Sequence, residues 1–483
     1  MEDILKKYEP VIGLEIHVQL NTKSKAYSSD ATEYGAMPNT QVNMISLGHP
    51  GTLPRVNKKV VEYAVRLGLA CGCSIRERNE YARKNYFYAD LPKGYQITQD
   101  TTPICTGGHV IIKDAEGQEK KIHLTRIHME EDSGKSMHDI DPFHSLIDLN
   151  RAGVPLLEIV SEPEFRNGQE AYNYLAEMRK LVRYLDISDG NMEEGSLRCD
   201  VNISVRPVGR EKFGTKVEVK NMNSFRNVQK AIDYEIKRQV ELIEGGGKVV
   251  QQTRTFNAAK GSTSVLRAKE DAHDYRYFPE PDLQPVMIRQ DYVNKIKAAL
   301  PPLPSELFAK YQGLGLSEYD ASLLTESKEV ALYFENIIQH TSNHKAAANW
   351  IMGPVKSYLN ERALAIENFP IPAEKIAQLI HLVDDNKVSN SAASGEMFRA
   401  LAENPEQEPA ALAKEMNLLQ ESDAGALMQH VQSALAKYPE KVAEYKAGKK
   451  GLLGLFMGEV MKLSGGKADP KVASQLVQQE LEK

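Results

Sequence analysis

The chain has 483 residues, which is enough for about three domains of ordinary size. Sixty Lys and Arg residues against 66 Asp and Glu residues give a net charge of −6, which excludes the strongly basic class of non-specific nucleic-acid coats. Hydrophobic residues make up 41% of the chain and charged residues 26%, so a folded globular protein is predicted.

The cysteines are too few for a disulfide scaffold. Cys71 and Cys73 are close in sequence, whereas Cys105 and Cys199 are isolated, so reduced thiols in a cytoplasmic protein are expected. The first ten residues include five charged ones, and export is therefore not expected. No apolar run approaches the roughly 18 residues of a membrane-spanning helix.

The pattern of apolar and polar residues along the chain predicts an α+β fold followed by helical domains. Short alternating segments broken by Gly, Pro, Asn and Asp fill residues 1–295, with helices predicted near 171–184 and 228–244. After this region the spacing of apolar residues becomes helical, which predicts a helical domain over 296–405 and a small helical tail domain over 406–483.

The first candidate site lies in residues 14–20, where apolar residues alternate strictly with polar ones. Side chains alternate between the two faces of a strand, so a strand here would place Glu15, His17 and Gln19 on one face.

Residues 199–206 and 217–220 show the same alternation and are joined by a polar loop, which predicts a β-hairpin. Its polar face would carry Asp200, Asn202, Ser204, Glu218 and Lys220.

The simplest explanation of such alternation is a half-buried strand with a solvated outer face. Asp, Asn and Glu are depleted in strands, however, so their presence on these faces calls for another reason. Carboxylate and amide oxygens are the groups that bind Mg²⁺, and Mg²⁺ commonly accompanies a phosphoryl group. A site for a metal ion or a phosphate is therefore the competing hypothesis.

Two further segments carry carboxylates. Glu158 lies inside an apolar run, where a carboxylate needs a cation, a proton or hydrogen bonds, so a site role and a structural ion pair both remain open. Glu130, Glu131 and Asp132 are consecutive, and the simplest interpretation of such a run is a solvated turn.

The common nucleotide-binding motifs are not present. Residues 133–136 (SGKS) resemble the end of a phosphate loop but lack its first glycine, and 245–248 (GGGK) are better explained as a helix cap and turn. The dinucleotide fingerprint and the nucleophile elbow are also missing, so ATP, if used, must bind in another way.

Several longer segments resemble a known family. They are residues 11–20, 91–99, 148–163, 192–206, 220–225, 274–283, 348–351 and 465–470. Together they are similar to the B subunits of the aspartyl/glutamyl-tRNA amidotransferases, and the resemblance covers essentially the whole chain.

The resemblance implies a ligase that works as a heterotrimer. A glutaminase (amidase) subunit would release ammonia from glutamine, and a third, small subunit would complete the complex. The B subunit would use ATP to phosphorylate the side-chain carboxylate of misacylated Glu-tRNA(Gln) or Asp-tRNA(Asn), and ammonia would displace the phosphate. The resemblance also implies a Mg²⁺-dependent site in an N-terminal cradle domain and tRNA contacts in the helical and tail domains.

The family's site residues can be carried over position by position. The implied metal-site residues are Glu15, His17, Glu158 and one or both of Glu130 and Glu131. The polar face of the predicted hairpin resembles the surface that binds nucleotide and activates the carboxylate.

The chain departs from the family at one point. Many members have a cluster of four cysteines that binds zinc, whereas this chain places Ser28, Asp30, Asn43 and Ser46 there. Ser and Asn are poor zinc ligands, so we expect no structural zinc and a loop held by packing and hydrogen bonds.

Lysines concentrate near the end of the chain, where phosphate contacts with tRNA are predicted. They are Lys446, Lys449, Lys450, Lys462, Lys467 and Lys471. Solvated helix ends are the alternative.

Two other functions compete with the one that the resemblance implies. A non-catalytic tRNA-binding scaffold has no need for Glu15, His17 and Glu158 on otherwise apolar segments. A freestanding metal-dependent hydrolase would need a full set of ligands, and the sequence does not show one.

Overall fold

A computed structural model describes residues 2–114, 116–138, 140–268, 275–420 and 424–482. The chain forms two compact units, Met1–Pro304 and Ser305–Lys483. The first unit is built on a mixed sheet and the second is helical, which confirms the predicted α+β class. The three-domain boundaries at 295 and 405 stay predictions. Asp274, in one of the family-like segments, lies outside the described residues.

The first unit contains many short strands and a few long ones. They are β1 (Tyr8–Gln19), β2 (Ser74–Ile75), β3 (Arg78–Asn79), β4 (Ala82–Asn85), β5 (Tyr95–Thr98), β6 (Cys105–Thr106), β7 (His109–Lys113), β8 (Glu119–Glu131), β9 (Lys135–Met137), β10 (Leu146–Asp148), β11 (Pro155–Ser161), β12 (Leu197–Pro207), β13 (Val217–Met222), β14 (Gln252–Asn257), β15 (Ser262–Ala268), β16 (Phe278–Pro279) and β17 (Val286–Met287).

Ten of these strands form one sheet. Its order is β15-β14-β13-β12-β1-β11-β8-β6-β2, and β7 also pairs with β8. The neighbours run antiparallel except for β13 and β14, which are parallel. Strand β1 is central because it pairs with β12 on one side and β11 on the other. The predicted hairpin is confirmed as the antiparallel pair β12 and β13.

Among the described residues of this unit, five helices accompany the sheet. They are α1 (Glu2–Leu5), α2 (Lys58–Ala70), α3 (Gly168–Tyr184), α4 (Phe225–Glu244) and α5 (Gln290–Ala298). Helix α3 begins where the Asn167 side chain accepts a hydrogen bond from the Glu170 N–H, which satisfies one free donor of the first turn. Helix α4 ends at Gly245, and Gly246 follows with φ +81°, which confirms that the glycine run is a cap and a turn.

The alternating pattern of β1 separates two faces of the sheet. Leu14, Ile16 and Val18 are almost fully buried in the core that α3 and α4 complete, whereas Glu15 and His17 on the opposite face are only half buried. Full burial of each such apolar side chain contributes about 1.5–3 kcal/mol, which fixes the face that the polar residues must take. A shift of one residue in register would bury the charges instead.

The second unit consists of helices. They are α6 (Pro304–Gly313), α7 (Glu318–Leu324), α8 (Lys328–Ile338), α9 (His344–Trp350), α10 (Lys356–Arg362), α11 (Ala373–Asp384), α12 (Asn390–Ala392), α13 (Phe398–Glu403), α14 (Pro409–Glu415), α15 (Ala424–Lys437), α16 (Pro439–Lys446), α17 (Leu453–Leu463) and α18 (Pro470–Glu482), with short 3₁₀ or π turns at Ile351–Val355, Ile366–Asn368, Ala393–Met397 and Lys450–Leu452. Residues of α15, α17 and α18 share a separate apolar core that includes Leu427, Phe456 and Val477.

Two features concern the whole chain. All four cysteines are unpaired and buried, in line with reduced thiols. Across the described ranges, the helices all fall short of the length and apolar character that a membrane span requires.

Candidate metal and phosphate site

A cavity of 1240 Å³ opens on the polar face of the large sheet. Its wall includes His17 from β1, Glu130 from β8, Asp200 from β12 and Lys220 from β13, and residues 32–36 of a loop also belong to the lining. The sheet thus supplies ionisable side chains from several strands to one cavity.

Four adjacent strands of the sheet, β12, β1, β11 and β8, place charged or ionisable residues directly opposite one another. Arg198 on β12 is the partner of His17 on β1, His17 is the partner of Glu158 on β11, and Glu158 is the partner of His128 on β8. Paired residues in antiparallel strands point to the same face, so the four side chains form a row across the sheet.

The row is held together by contacts between imidazoles and carboxylates. The Nε2 atom of His17 lies 3.3 Å from Glu158 Oε2 and 3.7 Å from Glu15 Oε1. The Nε2 atom of His128 lies 3.4 Å from Glu158 Oε2 and 3.2 Å from Glu130 Oε2. Glu158 is therefore shared by two histidines, which explains how an apolar run accommodates a carboxylate.

Burial and charge work against each other in the row. Burial favours a neutral His128, yet the Glu158 charge and the hydrogen bonds with Glu130 and Glu158 raise the pKa of His128 to about 9. Burial would raise the pKa of Glu158, but the two histidines hold it well below its usual range. The pKa of Glu15 is raised, first by burial and then by the Glu158 charge.

The two neighbouring glutamates at the end of β8 have different partners. Glu130 accepts a hydrogen bond from Thr98 Oγ1 at 2.9 Å and lies 3.7 Å from Lys84 Nζ, next to His128. Glu131 instead forms an ion pair with Lys93, on the other face of the strand. The structure thus brings Glu130 to the other candidate metal ligands and does not bring Glu131 to them.

The acidic run is not a solvated turn, so that interpretation is wrong. Glu130, Glu131 and Asp132 are 3%, 2% and 3% exposed, and the first two belong to β8. Cations from distant segments compensate the buried carboxylates, and the local sequence gives no sign of those partners.

The polar face of the β12–β13 hairpin divides into two parts. Asp200 forms an ion pair with Lys220, whose Nζ lies 3.1 Å from Glu218 Oε1, and Asp200 and Lys220 line the cavity. Burial lowers the pKa of Lys220, but the charges of Asp200 and Glu218 raise it overall. Asn202 and Ser204 lie further along β12 and are not in the cavity lining, and Ser204 is buried against a β1 carbonyl.

Two groups of side chains could hold a metal ion within the described part of the chain. They are Glu15 with His17 and Asp200, and His128 with Glu130 and Glu158. In each group the candidate ligand atoms lie within 4.8 Å of one another. Sequence reasoning missed His128, although its position two residues before Glu130 places both on one face of a strand.

The chemistry of these donor sets fits a divalent cation. Carboxylate oxygens suit Mg²⁺ and Mn²⁺, and the one imidazole in each group is a ligand that divalent transition metals also accept. The group with Glu15, His17 and Asp200 is half buried and borders the cavity, so it fits a partly hydrated ion. The group with His128 is buried, and the raised pKa of His128 means that a cation there must displace a proton.

The loop that departs from the family's zinc cluster is organised around a carboxylate. The Asp30 Oδ2 atom accepts hydrogen bonds from Ser28 Oγ at 3.0 Å, Ser46 Oγ at 2.5 Å and the Asn43 N–H at 3.2 Å. The fully buried Lys25 ammonium lies 3.8 Å from the same oxygen. These contacts tie together the four positions where the family's cysteines are expected.

The six lysines of the tail are placed on its surface. Lys446, Lys449, Lys450, Lys462 and Lys471 are exposed and Lys467 is half buried. Lys449 lies 3.1 Å from Glu444, and Lys450 Nζ lies 4.2 Å from the centre of the Tyr445 ring. The positions suit contact with a large polyanion, and the tRNA-binding role stays a prediction.

Comparison with known proteins shows what the chain is similar to. Residues 10–294 match the model described as the GatB/GatE catalytic domain, and residues 332–481 match the GatB domain. Proteins named as the B subunit of aspartyl/glutamyl-tRNA(Asn/Gln) amidotransferase are similar over nearly the whole length. That of Geotalea daltonii is 49% identical, covering 99% of this chain and 100% of the relative. That of Trichlorobacter lovleyi is 50% identical over 98% of this chain and 99% of the relative, and that of Thermosynechococcus vestitus is 49% identical over 98% and 96%. The chain therefore belongs to the B-subunit family of the aspartyl/glutamyl-tRNA(Asn/Gln) amidotransferases.

Proposed function

We propose that this chain is the ATP-dependent subunit of a tRNA-dependent amidotransferase. It activates the side-chain carboxylate of Glu-tRNA(Gln), Asp-tRNA(Asn) or both as an acyl phosphate, and ammonia then forms the amide. Its partners are a glutaminase subunit, which supplies the ammonia, and a third, small subunit. A cytoplasmic location is part of the proposal, since charged tRNA is the substrate.

One observation carries the proposal. Ionisable residues from four adjacent strands form a row across the sheet, and the end of the row with Arg198 and His17 borders a cavity of 1240 Å³. A scaffold that only bound tRNA would gain nothing from burying Glu158 between two histidines, because assembling buried charges is costly. The comparisons likewise do not favour the scaffold alternative.

Carboxylate activation needs a site that controls negative charge. Oxygen of a carboxylate is a poor leaving group, and transfer of a phosphoryl group makes it a good one. Glu15, His17 and Asp200 would hold Mg²⁺, which when bound would neutralise charge on the phosphates. Lys220, kept charged by Asp200 and Glu218, supplies a further cation on the cavity wall.

The position of the site in a cavity, with the tRNA end bound, would protect the activated group. An acyl phosphate reacts with water as well as with ammonia, so the cavity must limit water once the tRNA end is bound. The loop residues 32–36 form part of the lining beside the sheet, and the amide is formed within that space.

The experiment measures ATP hydrolysis and amide formation by the complex with its two partner subunits. Misacylated Glu-tRNA(Gln) and Asp-tRNA(Asn) are added separately, and the wild type is compared with Glu15→Gln. We expect hydrolysis stimulated by at least one tRNA, and a loss on the order of 100-fold in the variant because one ligand charge for the metal is removed.

Glu164→Gln is the matched control. Glu164 also faces a histidine, with the Oε1 atom 3.0 Å from His123 Nδ1, but it lies outside the cavity lining. It should keep full stimulated activity. If tRNA does not stimulate hydrolysis by the wild-type complex, the chain is a scaffold and the proposal fails. If Glu15→Gln retains full activity, the metal does not bind at β1.

A further inference from the structure

Arg198, on β12, forms one end of the row of cross-strand partners described above. It is the cross-strand partner of His17 and lines the cavity, with 34% of its side chain exposed. Its Nε atom is buried and has no hydrogen-bond partner among the described residues. The exposed part of the side chain lies on the cavity wall, where a guanidinium is suited to an anionic ligand.

Asp132 holds the Arg198 guanidinium in place. Its Oδ2 atom accepts hydrogen bonds from Arg198 Nη2 and from Gln19 Nε2, each at 2.7 Å, and its Oδ1 atom accepts one from the Ser133 N–H at 2.9 Å. Asp132 is 3% exposed, so this carboxylate cannot turn away to bind a ligand itself. The hydrogen bonds from Gln19 and Ser133 fix the Asp132 carboxylate, and this carboxylate in turn fixes the Arg198 guanidinium.

A second guanidinium group belongs to the same cluster. Arg151 Nε lies 3.7 Å from the same Asp132 oxygen, and its guanidinium is fixed by donation to the Ser133 and Gly134 carbonyls at 2.9 and 2.7 Å. Within this cluster two guanidinium groups share one carboxylate, while the charge of Asp200 on the same cavity wall also acts on Arg198. Arginine with a rigid planar fork is the residue best suited to phosphate oxygens.

We propose that Arg198, oriented by Asp132, binds a phosphate group in the cavity beside the His17 metal group. The inference rests on the proposed function, since it adds a phosphate ligand to the same site. Arg198 is the binding residue, Asp132 is a positioning residue, and Arg151 adds charge. The phosphate belongs either to ATP or to the backbone at the 3′ end of the tRNA, and the chemistry of recognition is the same for both.

The test compares Arg198→Lys with wild type in the complex with both partner subunits. Lysine keeps the charge but loses the fork, so we expect about a tenfold increase in one Michaelis constant with little change in kcat, as for the loss of one charge-assisted hydrogen bond. An increase in KM for ATP identifies the nucleotide phosphate, and an increase in KM for misacylated tRNA identifies the tRNA backbone. Unchanged KM values for both overturn the inference.

Arg206→Lys is the matched control on the same strand. Arg206 donates to Glu9 Oε2 at 2.6 Å and lies outside the cavity lining, so the same substitution there should leave both KM values unchanged. Unfolding temperatures of all variants show whether the fold survives.

A double-mutant cycle tests the positioning role of Asp132. If Asp132 acts through Arg198, Asp132→Asn raises the same KM in the wild-type background but has little further effect in the Arg198→Lys background. Additive effects would mean that Asp132 does not act through Arg198.

Direct binding of a non-hydrolysable ATP analogue separates this inference from the proposed function. The nucleotide assignment requires weaker binding by Arg198→Lys, even if turnover with tRNA fails in the wild type. If the wild type turns over with tRNA and neither KM nor analogue binding changes in Arg198→Lys, only the arginine assignment is wrong.

Discussion

His128 acts as the internal cation of the site in the metal-free protein. Its side chain is 3% exposed and its Nε2 atom touches both Glu130 and Glu158. Two buried carboxylates near each other repel, and a protonated imidazole between them removes that cost. The same position that would bind a metal is thus stabilised by a proton when the metal is absent.

The stability that His128 provides depends on pH. Its folded pKa of about 9 lies above the ordinary value of 6.5, so its contribution is complete below pH 6.5 and is lost as the pH rises through 9. We expect His128→Gln to lower the free energy of unfolding at pH 6.5, on the order of 3 kcal/mol from that difference in pKa, and to cost much less at pH 9.5.

Denaturant unfolding of both proteins in a metal chelator at the two pH values measures this difference. His144→Gln is the control, because His144 is an exposed histidine paired with Asp141 on the surface. A penalty for His128→Gln that is equal at both pH values would show that His128 is neutral in the folded protein.

Single residues differ in how far the sequence reveals them. Glu158 could be singled out because an apolar run surrounds it, and Glu15 and His17 because they alternate with apolar residues. Glu130 was singled out only through the family resemblance. Neither its burial nor the role of His128 could be predicted from the sequence. Their partners, such as Lys84, come from another strand, and pairing between distant segments leaves no local signal.

At the scale of elements, the loop around Asp30 is cross-linked by hydrogen bonds to a single carboxylate. Asp30 joins Ser28, Asn43 and Ser46 by hydrogen bonds, and the buried Lys25 balances its charge. The loop between these anchors includes residues 32–36, which line the cavity. The anchors therefore shape one wall of the site.

Removing the Asp30 carboxylate should loosen this loop. Asp30→Ala leaves the Lys25 ammonium buried without its nearest charge, so we expect a loss of about 3 kcal/mol or more in stability. Limited proteolysis should show faster cleavage within residues 31–42. Glu33→Ala is the control, since Glu33 is exposed in the same loop, and equal cleavage of the two variants would contradict the anchoring role.

Alternation in the sequence predicts the faces of strands but not their neighbours. It was sufficient for β1 and for the β12–β13 hairpin, whose strands are close in sequence. It could not show that β1 lies between β12 and β11, because those pairings join segments more than a hundred residues apart. The row of site residues depends on that order, so the geometry of the site required the fold.

At the scale of the whole molecule, the described residues of the tail share a core of their own, while the chain as a whole is acidic. Binding to a polyanion then depends on where positive charge is concentrated rather than on the net charge. The six tail lysines provide such a concentration, and local acidic neighbours such as Glu444 reduce it only in part.

Replacing Lys449, Lys450 and Lys467 with Glu should weaken tRNA binding and flatten its salt dependence. Each lost phosphate contact reduces the steepness of log K against log salt by about 0.7–0.9, so three contacts reduce it by about 2–3. The measurement is tRNA affinity of the complex across a salt series. A triple Glu variant at Lys345, Lys356 and Lys387, all exposed in residues 296–405, makes the same change in net charge outside the tail. If both triple variants change the slope equally, only the net charge of the protein matters and the tail has no special role. If only the tail variant changes the slope, the tRNA backbone contacts these lysines.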